Sequence, residues 1–282
     1  MNEDLYKIIS GIPQFSNLSE QQLIHDLYTE KLPSLSNSAF KLTLEETSYI
    51  LKIPQNHSNA YIDRENEKHN AEYAYKLGLS PEVAWSNSKG VSLINYISNA
   101  RCMTQKDLQD SIVIKKLADT LLYLHDSKVS FKGDVHKPDI ILKALNTYYE
   151  DCTVSAKQKM NYAYKQGLDA IDRLREFDYP AVPSHIDLTF GNILIEQNEQ
   201  QRIWLIDWEY SAMASPFWDI ATICNQAEFD NIKTAHFLDS ICSNKSNFEP
   251  SKLQKLLIDY RYILNAVSQC WLAANSNRSP QA

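Results

Sequence analysis

His185-Ile186-Asp187-Leu188-Thr189-Phe190-Gly191-Asn192 runs into Ile193-Leu194-Ile195-Glu196, a polar turn over 197–201, and then Arg202-Ile203-Trp204-Leu205-Ile206-Asp207. Two apolar runs around a short polar segment predict a β-hairpin, which sets Asn192 and Asp207 at neighbouring strand ends. The loop before the hairpin has the spacing H-x-D-x-x-x-x-N. A loop carboxylate at Asp187 can orient an acceptor hydroxyl and take its proton. An amide oxygen at Asn192 and a strand-end carboxylate at Asp207 are hard oxygen donors of the kind Mg²⁺ selects. Phosphoryl transfer needs little covalent chemistry from a protein, but it needs the nucleophile held in line and the phosphate charge neutralised. Each element alone is a weak signal. Their joint spacing within one hairpin carries the reading.

Downstream, residues two apart on an extended chain face the same side. Asp207 and Glu209 are therefore expected on one face, with Trp208 packed inward and Glu209 available to a second metal or a substrate cation. Tyr210, Trp218, Tyr260, Tyr262 and Trp271 are candidates for a ring of π-faces around a bound cation. The rest of the chain to about 275 reads as helical.

Upstream, residues 1–30 read as helical, with apolar punctuation at Leu5, Ile8, Ile9, Leu23, Ile24 and Leu27. Alternation over Phe40–Leu44, a polar turn over 45–48 and the run Tyr49–Ile53 ended by Pro54 predict an antiparallel pair. A helix from about Asp63 to Leu77 stops at Gly78, and Glu82–Trp85 and Val91–Ile97 supply two more strands. After about Ser98 the texture turns helical. Thr104 with Asp107 can cap a helix to His125, and a second long helix covers about 155–177. These patterns predict an α+β protein with a small strand-rich N-terminal domain over 1–97 and a larger, mainly helical domain over 98–282. Lys52 stands in the second strand among apolar residues. Its functional reading pairs it with Glu65 on the next helix, with Glu67 and Glu72 as competitors, and aims it at the ATP phosphates. The loop Ser34–Ser38, with Ser36 and Asn37, can offer amides and hydroxyls to phosphate.

Composition removes several classes. With 44% hydrophobic and 22% charged residues the chain is an ordinary globular protein, and its net charge of −7 argues against nucleic-acid binding. Five scattered cysteines, none in a C-x-x-C pair, fit neither a disulfide scaffold nor a thiolate zinc site. The acidic start Met1-Asn2-Glu3-Asp4 lacks a signal-peptide pattern, and no apolar stretch is long enough to span a bilayer. The expectation is a cytoplasmic protein without a membrane partner. Neither a G-x-x-x-x-G-K nor a G-x-G-x-x-G is present, which excludes P-loop and Rossmann nucleotide sites.

The order strand-Lys, helix-Glu, H-x-D-x-x-x-x-N and strand-Asp resembles the protein-kinase-like superfamily. The phrases Ile206-Asp207-Trp208-Glu209-Tyr210, Leu51-Lys52-Ile53-Pro54 and Ile62-Asp63-Arg64-Glu65-Asn66-Glu67 resemble bacterial choline kinases of the LicA type, in the choline/ethanolamine kinase family within the aminoglycoside phosphotransferase group. The similarity runs from about Ser34 to Asp219. It implies a bilobal fold, ATP bound near Asn95-Tyr96-Ile97, Mg²⁺, and transfer of the γ-phosphate to a small alcohol. It also implies that Asp219 ties down the catalytic loop and that His185, the loop's other catalytic-motif residue, is a hydrogen-bonding brace. Only eleven residues separate Asp207 from Asp219, which leaves no room for an activation segment or a polypeptide platform. Three departures stand out. The Ser34–Ser38 loop lacks glycine, Ser215-Pro216 stands where many relatives have Asp-Pro, and the acid that choline kinases often carry about seven residues after the Asp219 position falls on Gln226, with Glu228 nearby. Choline is the first substrate, and thiamine, ethanolamine and aminoglycosides are the alternatives. A non-catalytic kinase-like binding module would have no need of Lys52, Asp187, Asn192 and Asp207 together. A metal-dependent hydrolase would need further His or Asp ligands close to His185.

Overall fold

The N-terminal strand pattern holds, with one addition that the helical reading of residues 1–30 missed. The computed structural model describes residues 3–34, 37–54, 62–177, 179–242 and 250–276. It divides into two compact units, Met1–Asn99 and Ala100–Ala282. In the first, α1 (Glu3–Ser10) and α2 (Glu20–His25) are followed by a strand, β1 (Leu27–Leu32). Leu27-Tyr28-Thr29-Glu30-Lys31-Leu32 is too short and too polar to announce itself, but it carries an aromatic and a β-branched residue and pairs antiparallel with β2 (Asn37–Leu44). The β2–β3 turn is tighter than expected. Thr47 and Ser48 already belong to β3 (Thr47–Pro54), and Glu45 takes a positive φ of 54°. With β4 (Val83–Ser86) and β5 (Ser92–Asn95) the sheet order is β1-β2-β3-β5-β4.

The sheet is covered on one face by the N-terminal helices. Ile9, Ile12, Phe15 and Leu23 are buried in one cluster with Leu42, Leu51 and Leu93 of the strands. Each buried aliphatic side chain is worth about 1.5–3 kcal/mol against exposure. The helix α3 (Arg64–Lys76) begins after Asp63, whose carboxylate accepts the backbone N–H groups of Glu65 and Asn66, and the chain leaves it through Gly78 at φ 72°.

In the second unit, β6 (Ala100–Cys102) joins the predicted hairpin, β8 (Ile193–Glu196) and β9 (Ile203–Leu205), in the order β6-β8-β9. Thr104 and Asp107 form a reciprocal capping box as expected, but it closes a 3₁₀ turn over Gln105–Gln109. Asp110 caps the following α4 (Ser111–His125). A helix that the sequence reading left unassigned, α5 (Pro138–Glu150), starts with proline in its first turn. Then come α6 (Val154–Leu174), the strand β7 (Val182–Ser184), β10 (Ala212–Ala214) paired with β7, α7 (Phe217–Gln226), α8 (Asn231–Cys242) and α9 (Pro250–Ser276). The helices α6 and α9 pack closely at Gly167, where a Cβ would sit 2.6 Å from that of Ala266. Among the described residues no helix is long and apolar enough to cross a membrane, and the described cysteines form no disulfide.

Candidate active site

Strand pairing fixes both ends of the His185–Asn192 loop. β7 leads into it and pairs with β10, while β8 leaves it and pairs with β9, which leads to Asp207. The hairpin closes with the Ile206 N–H donating to the Asn192 carbonyl at 3.0 Å, so Asn192 and Asp207 do stand at neighbouring strand ends. Within the loop, the Asn192 side-chain N–H group donates to the Asp187 carbonyl oxygen at 2.8 Å and to its carboxylate Oδ2 at 3.0 Å. That orients the Asp187 carboxylate. With Nδ2 committed, Oδ1 is the atom that Asn192 has left to offer a ligand.

Two residues in this region take the left-handed backbone conformation, Ile186 at φ 71° and Asp207 at φ 67°. For a β-branched residue such as Ile186 this is a strained state that its surroundings must hold in place. They do so through Asp219 on α7, which is 0% exposed. Its Oδ2 accepts the His185 N–H at 3.0 Å and its Oδ1 the Ile186 N–H at 2.7 Å, while His125 Nε2–H donates to Oδ2 at 2.9 Å. Full burial pushes the Asp219 carboxyl up, but the His125 hydrogen bond, the two neighbouring histidines and the backbone donor outweigh it and hold the group below its ordinary range.

His185 is likewise 0% exposed. Its Nε2–H donates to the Ile206 carbonyl at 2.9 Å, and Nδ1 finds no partner among the described residues. Burial lowers its pKa against the pull of Asp219, so the ring is a neutral brace between the loop and the hairpin. It is enclosed away from any substrate, which corrects its inclusion with the catalytic residues.

The expectation for Asp207-Trp208-Glu209 survives with a different cause. The positive φ at Asp207 shows that extended geometry ends there. Even so, Asp207 and Glu209 each bring a carboxylate oxygen within 4.8 Å of the other. Trp208 packs inward against the His185 ring at 4.6 Å and the Phe131 ring at 5.7 Å. Glu209 is 6% exposed. An amide oxygen and two close carboxylates are the donor chemistry that a hard divalent cation requires, and the residues present fit Mg²⁺.

The aromatic candidates separate. Burial raises the Tyr210 phenol, as do the nearby acid Glu209, the phenol Tyr148 and Asp187, while a hydrogen bond from Trp271 opposes the rise. Tyr210 is thus hydrogen-bonded by Trp271 and lies within electrostatic reach of Glu209, Tyr148 and Asp187. Trp218 is buried and packs edge-on against Tyr260 at 5.5 Å, so both are core residues. Burial pushes the Tyr260 phenol up to about 12. Tyr262 is 36% exposed, and its phenol acts on Arg173 of α6. On α9 it stands nine residues from Trp271, about half a turn apart around the helix, so the two cannot face one pocket. Tyr148, half-buried on α5, is the aromatic that the sequence reading missed. The signal was there: Ile141, Leu145 and Tyr148 share one helical face after Pro138.

In the first unit, Lys52 is buried and its ammonium donates to Glu67 Oε1 at 2.9 Å, while Arg64 holds Glu67 Oε2 at 2.7 Å. The pairing with Glu65 is therefore corrected to Glu67. Because Asp63 is the cap, Glu65 falls in the first turn of α3 and is exposed. Glu67 lies about 200° further round the helix. Asn37 is buried at the start of β2, opposite Pro54, and Ser36 lies outside the described residues. Asn95 closes β5, its amide donating to Glu82 at 3.1 Å. The Tyr96 N–H donates to the Ser48 carbonyl at 3.1 Å, and Lys41 sits 4.0 Å from the Tyr96 ring centroid. Ile97 follows, half-buried, past the end of the strand. Back in the second unit, Gln226 Oε1 accepts the Phe190 N–H at 2.7 Å, and the exposed Glu228 accepts from Gln105 at 3.3 Å.

The choline/ethanolamine kinase family model matches residues 29–267. The protein LicA of Haemophilus influenzae is 25% identical over 266 residues, which is 89% of this chain and 76% of that protein. In fold, the choline kinase LicA from Streptococcus pneumoniae superposes with a TM-score of 0.81 at 20% identity, covering 99% of this chain and 94% of the other. A LicA structure in complex with AMP gives a TM-score of 0.79 at 22% identity, covering 97% and 91%. The strand-rich first unit and helical second unit are those of a kinase-like α+β fold. With the family model spanning most of its length, the chain belongs to the choline/ethanolamine kinase family and is a small-molecule kinase.

Proposed function

We propose that this kinase transfers the γ-phosphate of ATP to the hydroxyl of a cationic alcohol, choline first, with Asp187 positioning that hydroxyl. The observation that supports the reading is the Asp187 carboxylate held by Asn192 in the second unit, with the Trp271-bonded Tyr210 within electrostatic reach of it and of the buried Glu209. An acceptor hydroxyl at Asp187 gives up its proton to the carboxylate as it attacks. The hydrogen bond from Asn192 keeps that carboxylate aimed, and the Asp219 anchor keeps the loop from relaxing its strained Ile186. Asn192 Oδ1 and Asp207, with Glu209 alongside, would hold Mg²⁺. When bound, the ion neutralises charge on the phosphate oxygens. Lys52, steadied by Glu67, is the proposed phosphate contact of the first unit, and the AMP complex of a LicA supports a nucleotide as donor.

Choline's trimethylammonium has no N–H to donate, so its recognition rests on shape, π-faces and negative potential. Each well-placed, desolvated aromatic contributes on the order of 1–2 kcal/mol. Tyr210, kept neutral by burial and steadied by Trp271, and Tyr148 offer such faces, with Glu209 supplying charge. Ethanolamine, with three N–H donors, would favour directed acceptors, and thiamine combines a fixed positive charge with an alcohol. The test is kcat/KM for choline, ethanolamine, thiamine and kanamycin on one preparation. Choline is expected to lead. Thiamine ahead by tenfold or more, about 1.4 kcal/mol in transition-state binding, overturns the choline assignment and leaves the kinase intact.

A further inference from the structure

We infer that Gln226 is a positioning residue, which clamps the catalytic loop at the end opposite to Asp219. The inference rests on the proposed roles of Asp187 and Asn192. Phe190 opens the 3₁₀ turn Phe190–Asn192 that carries Asn192 into place. Its N-cap residue, Thr189, makes no side-chain capping bond to the turn. The first N–H groups of such a turn have no partner within it. One of them, from Phe190, is instead accepted across space by Gln226 Oε1 at 2.7 Å.

Gln226 is the last residue of α7, and Asp219 lies in that helix's first turn. Seven residues apart, they share one face about two turns, or about 10 Å, along the axis. From that face Asp219 accepts from His185 and Ile186 at one end of the loop, and Gln226 accepts from Phe190 at the other. The helix between them is a rigid mount, since every residue from Phe217 to Cys224 is buried. Asp187 lies between the two anchors, and Asn192 follows the second by two residues. The Asn192–Asp187 hydrogen bond closes the same stretch from within. Gln226 stands where choline kinases often carry an acid. Its contact here assigns the position to loop geometry: an amide oxygen, like a carboxylate oxygen, can accept a backbone N–H.

The test uses the full chain and, of choline, ethanolamine and thiamine, the alcohol turned over fastest with MgATP. Gln226→Leu leaves a side chain of comparable bulk and removes the acceptor. Its kcat is expected to fall by about tenfold to a hundredfold, the scale of a small misplacement of reacting groups, with the nucleotide KM within about twofold of wild type. Gln226→Glu, which restores an acceptor, recovers most of the loss. A leucine variant with wild-type kcat overturns the clamp, as does a glutamate variant as impaired as the leucine one. A readout independent of turnover is hydrogen exchange at the Phe190 amide of the wild-type protein. Protection of at least about a hundredfold is expected, and exchange at the rate of an open loop overturns the inference even if the leucine variant fails to fold. Asp187→Asn run alongside separates the two readings. If it retains turnover, the loop assignment fails. If it is inactive while Gln226→Leu behaves as wild type, the clamp alone fails.

Discussion

Asp187 has an amide donor fixed on its carboxylate, a strained residue immediately before it and the half-buried Tyr210 phenol within electrostatic reach. Asp187→Asn keeps size and hydrogen bonding but cannot take a proton. We expect kcat to fall by about 10²–10⁴-fold, the range for loss of a positioned base, with nucleotide affinity retained; a kcat near wild type in purified protein refutes the role. Asp207→Ala removes one of the oxygen donors proposed for Mg²⁺ and should abolish metal-dependent ATP turnover, and excess EDTA should do the same to the wild type. Turnover that persists in EDTA refutes the metal assignment. These residues were legible because their chemistry is tied to spacing along the chain. Glu209 was legible too, though for an incomplete reason: alternation suggested a face shared with Asp207, while the structure reaches the same proximity through a left-handed turn at Asp207. Which aromatics meet Tyr210 was not legible, because that depends on how α5 and α9 pack and not on local pattern.

The Lys52–Glu67 pair joins a strand to the helix that follows it, and its geometry turns on where that helix begins. The sequence reading places Glu65 first, with Glu67 and Glu72 as competitors on the same helix. With Asp63 as the cap, Glu67 takes the face toward β3 and Arg64 steadies its second oxygen. Glu65 and Glu67 stand about 200° apart around the helix, and sequence pattern alone does not say which of the two faces turns toward the strand. We expect Lys52→Ala and Glu67→Ala each to raise the nucleotide KM, and a double-mutant cycle to show coupling of at least about 0.5 kcal/mol. Glu65→Ala should stay close to wild type. Coupling of Lys52 to Glu65 in place of Glu67 would reject the pairing. The same dependence on packing hid β1 and α5. An edge strand with few apolar residues shows its nature only when paired, and α5 sits in a stretch whose alternation is broken by Gly133 and Pro138.

For the molecule as a whole, two opposing effects decide how stability responds to acid. A net charge of −7 is relieved as pH falls toward the isoelectric point near 5.5, which favours the compact state. Repulsion between surface charges is screened beyond about 8 Å at physiological salt, so this gain is small. Against it stand two buried groups at the base of the catalytic loop. Burial holds His185 below its ordinary pKa of 6.5, so the folded ring stays neutral while the unfolded chain takes up a proton. Unfolding then binds a proton, and the stability that His185 contributes above pH 6.5 is lost as pH falls below it. Asp219 acts lower on the scale. Its carboxyl is held below the ordinary value of 3.8, so its contribution is present above that value and is lost as pH falls through the folded pKa. The local terms win, because one proton linked to unfolding is worth up to about 1.4 kcal/mol per pH unit. Urea unfolding from pH 7.5 to 5 should show stability declining, and His185→Gln should flatten that decline by up to one proton while lowering stability at pH 7.5. Parallel curves for the two proteins would remove His185 as the acid-sensitive group.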